Sequence, residues 1–141
     1  MLCACRERAG RRGMAMRYDS ARYGHRKGRT MKIAMMTNNY KPFIGGVPIS
    51  VERLTEGLRE MGHQVVVFAP YYEEQEEDGN EVRFKVLFRR KSDGFSVPNS
   101  LDSEIERRFR EEDFDLIHVH HPMMIGDTAR YLSWKYHVPL V

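Results

Sequence analysis

The sequence predicts an α/β fold built on an open, doubly wound parallel sheet. Three observations support this fold class. Strand-like apolar segments alternate with amphipathic helices. The apolar segments contain consecutive apolar residues, which is typical of strands that are covered on both faces. Residues 33–69 form one strand–loop–helix–strand unit. Such a unit implies parallel strands joined by a right-handed crossover. Because ligands of these sheets bind beyond the carboxyl ends of the strands, the loops at that edge are the candidate sites.

The first unit opens with a short apolar strand at residues 33–37 (IAMMT), followed by a polar loop at residues 38–46. A helix comes next, since apolar residues recur at intervals of four and three. These residues are Val47, Val51, Leu54, Leu58 and Met61. Pro48 suits the first helical turn, and Gly62 suits the helix stop. Residues 64–69 (QVVVFA) are predicted to be the second strand.

The middle of the chain predicts a third strand between two charged loops. Residues 71–80 (YYEEQEEDGN) are acidic and are interpreted as a solvated connection. Val82, Phe84, Val86 and Phe88 alternate with Arg83 and Lys85, which predicts a strand with one wetter face. Residues 89–99 are basic, contain Gly94 and Pro98, and are predicted to be a loop.

The last third predicts a helix, a strand, a second helix and the start of a further strand. Ser100 is the predicted cap of the first helix. Residues 116–120 (LIHVH) are the strand, residues 126–136 the second helix, and residues 138–141 the start of the next strand. The helix residues predicted to face the core are Leu101, Ile105, Phe109, Ala129, Leu132 and Tyr136.

The net charge of +3 divides the chain into an extension, residues 1–30, and a domain, residues 31–141. The extension carries nine Lys or Arg and two acids, whereas the domain carries fourteen and eighteen, so the basicity belongs to the extension. The extension lacks hydrophobic periodicity and the apolar core of a secretory signal, which predicts a basic, disordered segment. Its charge leaves binding to nucleic acid or anionic lipid open as an alternative. Both cysteines, Cys3 and Cys5, lie here, so the domain has no disulfide framework.

Gly45 and Gly46 form a candidate phosphate loop, because they lie just before a predicted helix N-terminus. That helix end offers free N–H groups and a partial positive charge, although turn geometry alone also explains a glycine pair. The motif G-x-x-x-x-G-K-[ST] is absent, which excludes a P-loop. G-x-G-x-x-G is also absent, and the second strand ends in Ala69–Pro70 with no acid for a ribose. A dinucleotide dehydrogenase is therefore disfavoured.

The run His118–Val119–His120–His121–Pro122 is the densest cluster of functional side chains. On a strand, His118 and His120 share one face and Val119 takes the other. At the strand end a neutral His120 can accept a proton or bind a substrate hydroxyl. The alternative is that these histidines satisfy backbone groups. A metal site is disfavoured, because no cysteine is near and Asp115 lies behind the strand.

Two segments resemble family-4 glycosyltransferases of the GT-B fold. MKIAMMTNNYKPFIGGVPISVERLTEGLREMGHQVVVFAP, from Met31, is similar to that family's amino terminus, and FDLIHVHHPMMIG, from Phe114, to its His-containing strand end. The resemblance implies the acceptor domain of an enzyme that moves a sugar, with retention, from a nucleotide-sugar to an acceptor hydroxyl. It implies no catalytic metal and no cofactor, since the nucleotide-sugar is a substrate. By position, Gly45 and Gly46 match the donor-phosphate loop, His120 the cleft histidine, and Tyr40 and His121 acceptor contacts.

The resemblance also implies that the domain is incomplete at its carboxyl end. The family's donor-binding domain and its paired glutamates are absent, so we expect no activity from this chain alone. The alternatives are a non-catalytic binding module and a subunit that works with a separate donor domain. A lipid or cell-envelope glycan acceptor would fit a cytoplasmic protein that is peripheral at the inner membrane face. Arg89–Arg90–Lys91, with Phe88 and Phe95, could contact that membrane, although a plain solvated charge run is the favoured interpretation.

Overall fold

A computed structural model describes residues 29–73, 79–89, 96–99 and 102–141. Several predictions fall outside these ranges. They are those on residues 1–28 with Cys3 and Cys5, on the middle of the acidic loop, on Arg90, Lys91, Gly94 and Phe95, and on Ser100 and Leu101.

The described chain contains six strands and three helices. The strands are β1 (Lys32–Met36), β2 (Gln64–Pro70), β3 (Glu81–Phe84), β4 (Val86–Arg89), β5 (Ser96–Pro98) and β6 (Leu116–Val119). The helices are α1 (Gly46–Glu60), α2 (Ser103–Glu111) and α3 (Ile125–Tyr136). None of these helices is both long and apolar enough to cross a membrane.

Four strands form a parallel sheet in the order β3-β2-β1-β6. The chain moves outward from β1 through β2 to β3 and then returns to the other side of β1 as β6. The order therefore reverses between β1 and β6, which is where open α/β sheets form their ligand crevice. Beyond β6, Leu140 pairs in parallel with Ile117, and the Val141 N–H donates to the Ile117 carbonyl at 2.9 Å. This pairing confirms the predicted start of a further strand.

Helices cover both faces of the sheet, which confirms the doubly wound α/β prediction. On one face α1 contributes buried Val51, with Val47, Leu54 and Leu58 packed against the same core. On the other face α2 and α3 pack Ile105, Phe109, Ala129 and Leu132 onto the sheet. Each of the two apolar cores therefore combines one side of the strands with its own helix or helices.

The ends of α1 follow the sequence with one exception. Pro48 lies buried in the first turn, and Gly62 adopts a left-handed conformation with φ of 88° just beyond the helix. The His63 N–H donates to the Leu58 carbonyl at 3.0 Å across this turn, a bond typical of a glycine-terminated helix. Met61 was expected to face the core but occupies the C-cap with 73% of its surface exposed.

The prediction of a single strand at residues 82–88 is wrong, because the chain leaves the four-stranded sheet at Lys85. Val82 and Phe84 are buried in β3, whereas Leu87 in β4 is 71% exposed. At the break, the Lys85 N–H donates to Asp102 Oδ2 at 2.7 Å, and its carbonyl accepts from the Asn99 N–H at 2.9 Å.

The predicted loop at residues 89–99 and the predicted cap of α2 also require correction. β5 pairs antiparallel with β4, so both ends of the basic segment lie in strands. Asp102 caps α2, since its Oδ1 accepts from the Glu104 N–H at 2.9 Å. The other carboxylate oxygen of Asp102 accepts from the Lys85 N–H. One side chain therefore caps α2 and binds the backbone where β3 ends.

Candidate functional site

The loops that follow β1 and β6 meet at the point where the strand order reverses. The His120 N–H donates to the Met36 carbonyl at 3.0 Å, which extends the pairing of the two strands by one residue. Two residues beyond Met36 and one residue beyond His120, the Asn38 N–H donates to His121 Nδ1 at 3.2 Å. Open α/β sheets bind ligands at this position, so we call the region formed by these two loops, residues 37–46 and residues 120–126, the cleft.

Asn38 holds the two sides of the cleft together. It is 7% exposed, and its Nδ2 donates to the Met123 carbonyl at 3.2 Å, while its Oδ1 accepts from the Ile125 N–H at 3.3 Å. The second bond also caps the start of α3, where an acceptor is favourable. The sequence interpretation missed this role. A polar amide directly after a buried strand was the available signal.

The loop from His121 to α3 has a tightly constrained backbone. Met124 adopts φ of 60°, a left-handed conformation that non-glycine residues rarely take. Gly126 follows in the first turn of α3, and a Cβ added there would lie 2.4 Å from the His121 carbonyl oxygen. Close approach of backbone to backbone therefore requires glycine at residue 126 and fixes the position of His121.

His118 and His120 lie on one face of β6, as their spacing predicted. Their rings stack with centroids 4.8 Å apart, and Val119 packs against the opposite core. His120 Nε2 lies 3.2 Å from the sulfur of buried Met35. A thioether sulfur carries no proton, so this contact is a hydrogen bond when Nε2 is protonated, which leaves Nδ1 of the neutral ring as an acceptor. In this tautomer the Nδ1 lone pair of His120 can accept a hydrogen bond, and a catalytic role for His120 stays a prediction.

The surroundings of the three histidines favour their neutral forms. Burial lowers the pKa of His118 and of His121. Burial also lowers the pKa of His120, and positive charge on His118 or His121 would lower it further. At neutral pH the cleft therefore presents neutral imidazoles, which can exchange protons or hydrogen bonds with a substrate.

These lowered pKa values predict that the folded chain loses stability in mild acid. An unfolded histidine titrates near 6.5, so below that pH the unfolded chain binds more protons than the folded chain. The free energy of unfolding therefore falls as the pH is lowered from about 7 to about 5.5, and this contribution is constant above about 7. Thermal unfolding followed by circular dichroism measures the effect, and His118→Gln should make the dependence shallower. A midpoint that does not change across this range would contradict the prediction.

Gly45 and Gly46 lie where the sequence placed them, at the start of α1. Gly45 is the extended N-cap, and a Cβ added at Gly46 would meet nothing within 4 Å. Gly45 has no side chain that could cap this helix end, and the first turn of α1 contains no acidic residue. The end therefore keeps the partial positive charge and open backbone of an anion site. Its use by a donor phosphate stays a prediction.

Tyr40 lies inside the α1-side core and is only 4% exposed. The Arg83 guanidinium lies over its ring at 5.2 Å, and Arg83 also donates to the Lys41 carbonyl at 3.0 Å. Burial, with nearby Glu81, raises the pKa of the Tyr40 hydroxyl. Tyr40 therefore anchors the loop after β1 in the core, and its contact with an acceptor stays a prediction.

Asp115 lies at the opposite edge of the sheet, away from the histidines. Its Oδ2 accepts from the Lys32 N–H at 2.9 Å, and its Oδ1 accepts from Arg29 at 2.8 Å. Among the described residues, no three His, Cys, Asp or Glu side chains come together in a way that could hold a metal ion. The prediction of chemistry without a metal was not tested by this geometry.

Comparison with known proteins places this chain among sugar transferases. Residues 44–141 match Glycosyltransferase Family 4. The alpha-monoglucosyldiacylglycerol synthase of Acholeplasma laidlawii is 30% identical over 115 residues, which cover 79% of this chain and 29% of that protein. The GDP-mannose-dependent alpha-mannosyltransferase of Corynebacterium glutamicum is 27% identical over 122 residues, 80% of this chain and 29% of that protein.

A third relative, an uncharacterised glycosyltransferase of Methanocaldococcus jannaschii, is 28% identical over 109 residues, 77% of this chain and 30% of that protein. The chain spans about three tenths of the length of these curated relatives. The family match includes Gly45, Gly46 and the whole His118–His121 run, so both sides of the cleft contain matched residues. This chain belongs to glycosyltransferase family 4.

Proposed function

We propose that this chain supplies the acceptor side of a retaining glycosyltransferase, which moves a sugar from a nucleotide-sugar to an acceptor hydroxyl. The family match supports this proposal, and the cleft between β1 and β6 is the observation that carries it. That cleft combines an uncapped helix N-terminus with neutral imidazoles. A sugar transferase must place an anionic donor phosphate and a hydroxyl nucleophile side by side, and these groups suit both.

Each residue of the cleft has a proposed role. Gly45 and Gly46 let a donor phosphate approach the backbone at the start of α1. His120 orients the acceptor hydroxyl or receives its proton, and Tyr40 and His121 contact the acceptor. The nucleotide-sugar is a substrate, and the proposed reaction uses neither a resident cofactor nor a catalytic metal.

A lipid is the proposed acceptor, with a cell-envelope glycan as the other candidate. One relative is named for a monoglucosyldiacylglycerol product and another for GDP-mannose, which favours a lipid acceptor and a nucleotide-sugar donor. Apolar side chains are exposed on both sides of the cleft, Ile44 at 86% and Met123 at 69%. Phe88, in β4 next to the proposed membrane-contacting segment, is 59% exposed. We propose a cytoplasmic, peripheral position at the inner membrane face.

The transition state needs donor-binding groups from a second domain, whether that domain lies on the same polypeptide or on a partner. We therefore expect no transfer by the 141-residue chain alone. Joined to the donor domain of the Acholeplasma laidlawii relative, it should release nucleoside diphosphate and glycosylate diacylglycerol vesicles. Proton NMR of the product's anomeric signal tests retention.

Three outcomes separate the candidate functions. Turnover by the chain alone would contradict the requirement for a second domain. Acceptor binding without turnover in any combination would favour the non-catalytic binding module. Transfer by the joined protein, together with retained anomeric configuration, would support the proposed enzyme.

A further inference from the structure

We propose that His121 serves as a hydrogen-bond donor to an acceptor-substrate oxygen through Nε2, and that Asn38 is the positioning residue that fixes this tautomer. The proposal rests on the function proposed above and makes it specific. It gives the adjacent histidines opposite roles, because His121 offers a proton to the cleft whereas His120 offers a lone pair.

The first step is the identity of the atom that faces His121 Nδ1. The Asn38 N–H donates to Nδ1 at 3.2 Å, and an N–H group can only donate. The Thr37 hydroxyl lies 3.5 Å from the same nitrogen but donates its proton to the Asn39 carbonyl at 2.9 Å. A proton on Nδ1 would oppose the Asn38 N–H, so Nδ1 is the unprotonated nitrogen of the neutral ring.

The second step is the rigidity of that backbone donor. Asn38 follows β1 directly, and its side chain is bonded to the Met123 carbonyl and to the Ile125 N–H. The donor and the loop that carries His121 are therefore fixed to each other by three hydrogen bonds. Such constraint holds one tautomer in place, as backbone partners commonly do for functional histidines.

The third step is the position of the proton. With Nδ1 accepting, the neutral ring carries its proton on Nε2, which has no hydrogen-bond partner within the described part of the chain. His121 is half-buried at the cleft, so this N–H is available to a hydroxyl or ether oxygen of the acceptor. His120 differs, because its Nε2 faces the Met35 sulfur and its lone pair on Nδ1 remains.

Two-bond ¹H–¹⁵N NMR spectra of the full, ¹⁵N-labelled chain at neutral pH test the tautomer without any enzyme assay. We expect His121 to show a protonated Nε2 and an unprotonated Nδ1. Asn38→Ala should shift His121 toward a mixture of tautomers, with a smaller change at His63 near the opposite edge of the sheet. A protonated Nδ1 in the unaltered chain would overturn the proposal.

Two variants of the joined enzyme test the donor role. His121→Asn keeps an oxygen near Nδ1 that can accept from Asn38 but loses the cleft donor, whereas His121→Gln keeps an N–H near Nε2 and loses that acceptor. We expect His121→Gln to retain about tenfold more kcat/KM for the acceptor than His121→Asn. A merely structural role predicts the reverse order, which would overturn the proposal, as would equal values. An inactive unaltered joined enzyme would refute the proposed function, while the NMR spectra would still decide the tautomer.

Discussion

Replacement of His120 by alanine is expected to lower the rate of sugar transfer by the joined enzyme about 100-fold or more. The ring stands at the carboxyl end of β6, where its neutral form is favoured by burial and by the neighbouring histidines. Its Nε2 is occupied by Met35, so Nδ1 is the atom that can receive the proton of an acceptor hydroxyl. Alanine removes that acceptor and leaves the backbone bond to Met36 in place.

The rate should be measured as kcat and as kcat/KM for the acceptor, across a range of pH. For the unaltered enzyme, kcat/KM should fall in acid as His120 gains a proton, and this part of the acid limb should be absent from His120→Ala, where only the contribution of His121 remains. His63→Ala is the matched control, because His63 accepts from the Met31 N–H at the opposite edge of the sheet. Unchanged transfer by His120→Ala would remove this residue from the mechanism.

Substitution of Gly126 by alanine is expected to reduce the free energy of unfolding by about 1–3 kcal/mol and to displace the cleft loop. The added Cβ would lie 2.4 Å from the His121 carbonyl oxygen, so one backbone segment must move away from the other. The movement would strain the contacts of Asn38 with Met123 and with Ile125, which lie between these two points. Both stability and acceptor binding should therefore decline together.

Gly57 provides the control for this substitution. It lies within α1, and a Cβ added there would meet nothing within 4 Å. Gly57→Ala should raise the free energy of unfolding by about 0.5–1 kcal/mol, because alanine favours helix more than glycine does. Urea denaturation followed by circular dichroism compares the two variants. Equal stability of Gly126→Ala and the unaltered chain would mean that the loop relaxes without cost.

The central sheet was predictable because the pattern of apolar residues along its strands and helices reflects which side chains are buried. The short, β-branched apolar run at residues 65–69 favours a strand with two covered faces, and the spacing of Val47, Val51, Leu54 and Leu58 indicates one helix face. Both were confirmed, as was the shared face of His118 and His120. Periodicity reports burial, so it succeeds wherever burial determines the conformation.

The missed features depend on hydrogen bonds between distant segments. The alternation at residues 82–88 continues through Lys85, but the backbone bonds of Lys85 to Asp102 and Asn99 end the strand. The role of Asn38 depends on partners 85 and 87 residues away in the chain. The spacing of residues within one segment does not indicate partners in a distant segment. The sequence therefore located the cleft residues, but it did not indicate that Asn38 links the two sides of the cleft.

The reversal of strand order has a consequence for the sequence of events in folding. β1 reaches β2 after one helical crossover, whereas Asn38 and His121 are separated by 83 residues. The entropy of closing so long a loop is lost before the distant contacts are gained, so they form late. The β1–α1–β2 unit can assemble while the cleft still lacks one side. Contacts that form after the transition state control the rate of unfolding, so we expect substitutions that weaken the cleft to speed unfolding more than they slow folding.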